Sequence, residues 1–345
     1  MTPDCENRLI MRGQRYKILK NAGLINILHV NCEKGILFQP FFYFWRMITP
    51  PYLKKGDKIA IVSPARSITF EEVHPAIRFF QRHDLEVVLG SYVFSRQHQF
   101  AGSDVQRCRD FQQMMDDEKI RAIVCSRGGY GAVRIIDNLD FAGFREHPKW
   151  IVGYSDVTVF HAHIHRQLGI ETLHASMPIN IKSESQDETL QSMVNALFGK
   201  RITYSHPRSG PSREGKAEGM LIGGNLSILY SLMGTVSEPD TAGKILFLED
   251  VEEYLYHIDR MMMNLKRAGK LDKLNGLIIG GMSKMNDNTV PFGKTAIGII
   301  ADVVKEYKFP VCFDFPAGHL DTNLALIMGR KVRFTVGNEV ELEFY

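Results

Sequence analysis

The chain has 345 residues, of which 44% are hydrophobic and 23% charged, and it carries a formal net charge of +3 at neutral pH. That length accommodates two domains with a core each, and the balance excludes a disordered or fibrous chain. The charge is spread along the sequence with no basic block, so a nucleic-acid partner is not expected.

Residues 1–46 differ from the rest. A basic stretch, "MRGQRYKILKNAGL", precedes an aromatic one, "GILFQPFFYFWR", broken by Gln39 and Pro40. The apolar run is far shorter than the roughly 18 residues that cross a bilayer, and no small-residue cleavage site follows it. We read 1–46 as a poorly ordered or dispensable extension, with Met47 as the functional start and no membrane association. The five cysteines, Cys5, Cys32, Cys108, Cys125 and Cys312, are odd in number and lack a C-x-x-C pair. They read as reduced packing residues of a cytoplasmic protein.

From Lys54 strands and helices alternate. "DKIAIVSPA" is a buried strand entering a loop, "FEEVHPAIRFFQRHD" has helical spacing, and "LEVVLG" is the next strand. A Ser-Asp cap opens the helix "SDVQRCRDFQQMMDD", followed by the strand "IRAIVCS", a short helix around "AVRIIDNLDF" and the strand "KWIVGYS". This βαβα order predicts a doubly wound parallel sheet, whose ligands meet loops at the carboxyl ends of the strands. Both "SRGGYG" and "GYSD" lie at such ends.

The glycines of "SRGGYGAVRI" fill the first places of a dinucleotide loop, but Arg134 stands where a small residue is required, and no acid closes the next strand. A nucleotide cofactor is therefore not expected. Gly128 and Gly129 instead suit a bare backbone that approaches a substrate oxygen, or a plain tight turn. In "KWIVGYSDVTVF" Ser155 sits where a strand turns into a helix that stops at Gly169. Two readings are open: a helix cap, and a nucleophile on a tight elbow whose following N–H faces an oxyanion.

After Pro178 the alternation fades, and 179–217 reads as a polar linker or crossing segment. In the second domain "GMLIGGNLSILYSLMGT" places glycines before a helix, "KILFLEDVEEY" is a strand ending in acids, and "YHIDRMMMNLKRAGKL" is a helix. The strand "LNGLIIGGMS", the helix "TAIGIIADVVKEY", the strand "VCFDFPAGH" and two terminal strands complete a smaller, mixed, β-rich domain over 218–345. Glu249 and His319 follow apolar strands, as Ser155 does. A serine nucleophile needs an imidazole to take its proton, and the imidazole needs a carboxylate to orient it. With 12 His and 39 acidic residues to choose from, order alone does not select a triad.

The segments "SRGGYGAVRIIDNLDF", "IVGYSDVT", "GMLIGGNLSILYSLMGT", "LFLEDVEE" with "YHIDRMMMNL", and "DFPAGH" together resemble the muropeptide LD-carboxypeptidase family of serine peptidases, in order and spacing. The resemblance implies a nucleophile Ser155 on an amino-terminal domain (47–178), with acid Glu249 and base His319 supplied by the carboxyl-terminal one. It implies an oxyanion hole from the Asp156 amide and a glycine amide, Gly128 or Gly129. The expected activity is a serine carboxypeptidase that releases terminal D-alanine from a cell-wall tetrapeptide in peptidoglycan recycling, with a peptide or muropeptide substrate, no cofactor, and assembly as a homodimer. Alternatives are a self-immunity peptidase acting on processed peptide-nucleotide antibiotics, and a non-catalytic binding protein on the same scaffold. In "HAHIH" only His161 and His165 would share a helical face, so no metal is expected.

Overall fold

The structure, a computed structural model, describes residues 47–182 and 188–345, together with the backbone of three earlier strands. The remainder of the 1–46 segment read as an extension lies outside the described residues. By contacts the chain divides into two units, Met1–Met47 and Ile48–Tyr345. In the first, β1 (Arg8–Met11), β2 (Gln14–Asn21) and β3 (Leu24–Val30) pair antiparallel in that order.

The second unit opens with β4 (Lys58–Val62), β5 (Glu86–Leu89), β6 (Ile120–Cys125), β7 (Trp150–Val152) and β8 (Thr172–His174), all paired in parallel. Their spatial order, β5-β4-β6-β7-β8, reverses direction between β4 and β6. Ile59, Ala60, Ile61, Ile123, Val124 and Ile151 are buried, as expected of strands covered by helices on both faces. Those helices are α1 (Phe70–Arg82), α2 (Asp104–Asp116), α3 (Ala142–Glu146) and α4 (Thr158–Leu168). Capping boxes start α1 at Thr69 and Glu72 and α2 at Ser103 and Gln106, and Gly169 ends α4 in the left-handed conformation. The helix expected around "AVRIIDNLDF" resolves into two 3-10 turns, Ala132–Arg134 and Ile136–Asn138, followed by α3.

The segment 179–217 crosses to the second sheet with structure of its own: α5 (Glu188–Leu197) and β9 (Thr203–Pro207). Next come β10 (Gly215–Asn225), α6 (Leu226–Ser231), β11 (Ile245–Val251), α7 (Leu255–Arg267), β12 (Gly276–Ser283), α8 (Ala296–Val304), β13 (Val311–Cys312), β14 (Leu326–Met328), β15 (Lys331–Val336) and β16 (Glu339–Phe344). The second sheet has the order β13-β12-β11-β10-β15-β16-β9. It is parallel from β10 to β13 and antiparallel from β10 through β15 and β16 to β9. "GMLIGGN" is the end of a strand, and its glycines stand directly before the helix α6, as expected. A Cβ on Gly223 would fall 1.9 Å from Phe247 O, so the tight approach of β11 requires glycine there. Strand β14 leaves this sheet and pairs antiparallel with β8, closing the edge of the first. No helix among the described residues is long and apolar enough to cross a membrane.

Candidate active site

Strand β7 stops at Val152, and the chain reverses sharply through Gly153, at φ 153°, where a Cβ would stand 2.8 Å from Val157 Cγ2. Tyr154 is extended and Ser155 then takes φ 63°, a left-handed conformation that disfavours any residue with a Cβ. A 3-10 turn, Ser155–Val157, feeds α4. The residue before α4 is Val157, and no side chain caps the helix. The cap reading of Ser155 is thus removed, and a strained strand-to-helix elbow remains.

The glycine loop after β6 lies on this elbow. A Cβ on Gly128 would fall 2.9 Å from Ser155 Oγ and 3.4 Å from the Asp156 amide nitrogen. Ser155, Gly128 and the Asp156 amide therefore share one place, whereas Gly129 is exposed and backs onto Arg66. The Asp156 side chain points inward, where its Oδ2 accepts the Ala132 N–H at 2.8 Å and fastens the loop to the elbow. Burial pushes its pKa up to about 6, against the Ala132 bond and the charge of Arg107. Buried Arg107 donates through Nη1 to Pro64 O at 2.7 Å and Gly131 O at 3.1 Å, tying the loops after β4 and β6 together.

Glu249 lies on β11, fully buried, beside a register shift between β11 and β12. Such a shift re-aims side chains. Its Oε2 accepts both His319 Nδ1 at 2.6 Å and the His319 amide at 3.2 Å. This approach depends on Gly318, at φ 102°, where a Cβ would stand 2.7 Å from Glu249 Oε2. His319 lies farther beyond a strand than expected, because β13 ends at Cys312. The chain nevertheless tracks β12, with Phe315 N–H donating to Ile279 O and Gly281 N–H to Ala317 O, both at 3.0 Å. Burial of the imidazole disfavours its charge, but the hydrogen bond and charge of Glu249, with Asp250 and Glu252 behind, raise its pKa above the ordinary value. Asp250 faces elsewhere: its carboxylate accepts Asn225 Nδ2, Ser227 N and Ser227 Oγ.

The Glu249–His319 pair is formed, and its ring packs 4.8 Å from the Tyr154 ring, next to Ser155 in the chain. Among the described residues no hydrogen bond joins Ser155 Oγ to His319. Tyr154, a shelf for the base, is a residue that sequence reading passed over; an aromatic directly before the elbow serine was its only signal. Asn225 was passed over too. Its backbone N–H donates to Thr158 Oγ1 at 3.0 Å, linking the elbow helix to the second sheet.

The "HAHIH" histidines have separate structural partners: His161 Nε2 meets Gly153 O, His163 Nδ1 meets Ser237 Oγ, and His165 Nε2 meets Thr172 Oγ1, each at 2.9 Å. Among the described residues no group of three or more His, Cys, Asp or Glu is arranged to hold a metal ion.

Two family models match the chain, the LD-carboxypeptidase N-terminal domain over residues 59–175 and the LD-carboxypeptidase C-terminal domain over 218–334. Ser155 falls in the first, Glu249 and His319 in the second. A probable murein peptide carboxypeptidase of Bacillus subtilis is 35% identical over 291 residues, covering 82% of this chain and 90% of that protein. The solved muramoyltetrapeptide carboxypeptidase from Oxalobacter formigenes is similar with a TM-score of 0.76 at 26% identity, covering 83% of this chain and 98% of that one. A microcin self immunity protein shares the fold, with a TM-score of 0.77 at 23% identity over 87% of this chain and 98% of its own.

Proposed function

Because the chain belongs to the LD-carboxypeptidase family, we propose that it is a serine-type enzyme that cleaves the L,D amide bond of cell-wall muropeptides and releases terminal D-alanine from a tetrapeptide. The observation that carries the proposal is the 2.6 Å contact of Glu249 Oε2 with His319 Nδ1 beside an elbow serine at φ 63°. A proton on Nδ1, donated to Glu249, leaves Nε2 as the acceptor a serine requires.

Ser155 Oγ attacks the amide carbonyl carbon as its proton passes to His319 Nε2, and Glu249 stabilises the imidazolium. The oxyanion is met by the Asp156 N–H and a glycine N–H of Gly128 or Gly129. His319 then gives its proton to the departing amine, the C–N bond breaks, and D-alanine leaves an acyl-Ser155 ester. Water, deprotonated by the same imidazole, hydrolyses the ester and restores the serine. Peptidoglycan recycling in the cytoplasm suits the free thiols of Cys108, Cys125 and Cys312.

The test is mass spectrometry of a muropeptide mixture before and after incubation, with loss of one alanine expected. Ser155→Ala and His319→Ala should each cut turnover by at least about 10³-fold, and the double variant should be about as slow as either, because the pair acts as a unit. Normal turnover by folded Ser155→Ala sinks the mechanism. Cleavage of a peptide-nucleotide conjugate with the muropeptide untouched would replace the substrate by that of a self-immunity peptidase.

A further inference from the structure

Strand order reverses between β4 and β6, and the carboxyl ends of strands at such a reversal are where ligands meet sheets of this class. Two loops at these ends lie against each other. One is the glycine loop beside Ser155, and the other is the loop after β4, Ser63–Ser67, whose tip carries Arg66. This tip is held firmly: Ala101 N–H donates to Ala65 O and Ser67 N–H to Gln99 O, both at 3.0 Å, and Arg127 Nη1 reaches Ser67 O at 3.1 Å. The Arg66 stem lies along Gly129, where a Cβ would fall 2.5 Å from Cδ and 3.0 Å from Nε.

Neighbouring guanidinium groups are engaged. Arg107 binds Asp104 and two carbonyls, Arg134 binds Asp104, and Arg127 binds Ser67 O. Arg66 is exposed and has no hydrogen-bond or ion-pair partner among the described residues. The acids of the site have other partners: Glu249 bonds His319, Asp250 bonds Asn225 and Ser227, and Glu252 pairs with Lys284. A cation with nothing to neutralise it thus stands over Gly129, one residue along the loop from the glycine that abuts Ser155.

We infer that Arg66 binds the C-terminal carboxylate of the substrate peptide. The inference rests on reading the site as that of a carboxypeptidase. In such a substrate the carboxylate lies a single residue beyond the scissile carbonyl, and consecutive Cα atoms are about 3.8 Å apart. With the carbonyl at Ser155 and Gly128, one residue onward reaches Gly129 and the guanidinium above it. The fixed fork of an arginine matches both carboxylate oxygens. Arg66 would therefore select peptides that end one residue past the cleaved bond.

The experiment compares two peptides on the full chain, one ending in D-alanine and the other in D-alaninamide, for wild type, Arg66→Gln and Arg66→Lys. Wild type should prefer the free acid. Arg66→Gln should lose about 10- to 100-fold in kcat/KM on the acid, mainly through KM, and keep its rate on the amide, so that the preference collapses. Arg66→Lys should recover part of the preference. An undiminished preference in Arg66→Gln overturns the inference and leaves the carboxypeptidase reading intact. An equal loss on both peptides also overturns it, since Arg66 would then only brace the glycine loop. Cleavage of neither peptide by wild type removes the carboxypeptidase reading and the subsite with it.

Discussion

Ser155 holds a backbone conformation that costs about 1–2 kcal/mol for a residue with a Cβ, and it does so with Gly153 and Gly128 leaving the space around it. His319 is governed by charge. Burial would lower its pKa, but Glu249 outweighs burial and holds it above 6.5. A general base works only when neutral, so kcat/KM should rise with pH along a limb centred above 6.5. Glu249→Gln removes the charge that raises the pKa, so the limb should move to lower pH while turnover falls by about 10²- to 10⁴-fold. A limb that stays in place would assign the titration to another group. Ser155, Glu249 and His319 were singled out by the resemblance of their segments to a family, since a serine, a glutamate and a histidine near the ends of apolar runs do not by themselves select one another. Tyr154, Arg107 and Asn225 were not, because periodicity does not report which loops touch.

At the scale of elements, the glycine loop after β6 and the elbow after β7 are fitted to each other by one absent methyl group. Gly128 does not need a left-handed backbone, so an added Cβ acts only by pressing on Ser155 Cβ and Oγ, each 2.9 Å away. Gly128→Ala should therefore lower kcat by about 10²-fold through misplacement of the serine, with little change in melting temperature. Near-normal kcat would show that the loop yields without moving Ser155. Before Pro178, α1 and α2 were readable from their capping boxes and α4 from the glycine that ends it, whereas "AVRIIDNLDF", two 3-10 turns and α3 without side-chain caps, was not. Strand β10 was concealed by Gly219, Gly223 and Gly224, residues poor in strands that are required here by the close backbone of β11 and by Thr158. In the crossing segment, α5 was concealed by its polar surroundings, although Leu190, Met193, Val194 and Leu197 are buried.

In the Ile48–Tyr345 unit, the two sheets are joined by chain as well as by packing. Strand β14 belongs by sequence to the second half and by hydrogen bonding to the first. The turn after it carries Arg330, whose Nη2 and Nε meet Glu171 Oε2 and Oε1 at 2.6 and 3.2 Å, just before β8. Both side chains are largely buried, at 13% and 6% exposure. Arg330→Ala should cost about 3–5 kcal/mol in denaturant unfolding, because it strands a buried carboxylate; Glu171→Gln in the same chain should recover much of it. A loss under about 1 kcal/mol would mean that the pair is screened like a surface bridge. This long-range return was illegible, since "ALIMG" looks like any short terminal strand and its partner lies some 150 residues earlier.

That return also sets an order of events during synthesis. Strand β8 cannot receive its last neighbour until Met328 has left the ribosome, so a nascent chain carries an unpaired sheet edge until it is nearly complete. His319 emerges only shortly before. On the proposed mechanism, a translation product that stops before His319 would hold Ser155 on an unfinished sheet without its base, and so would be inactive.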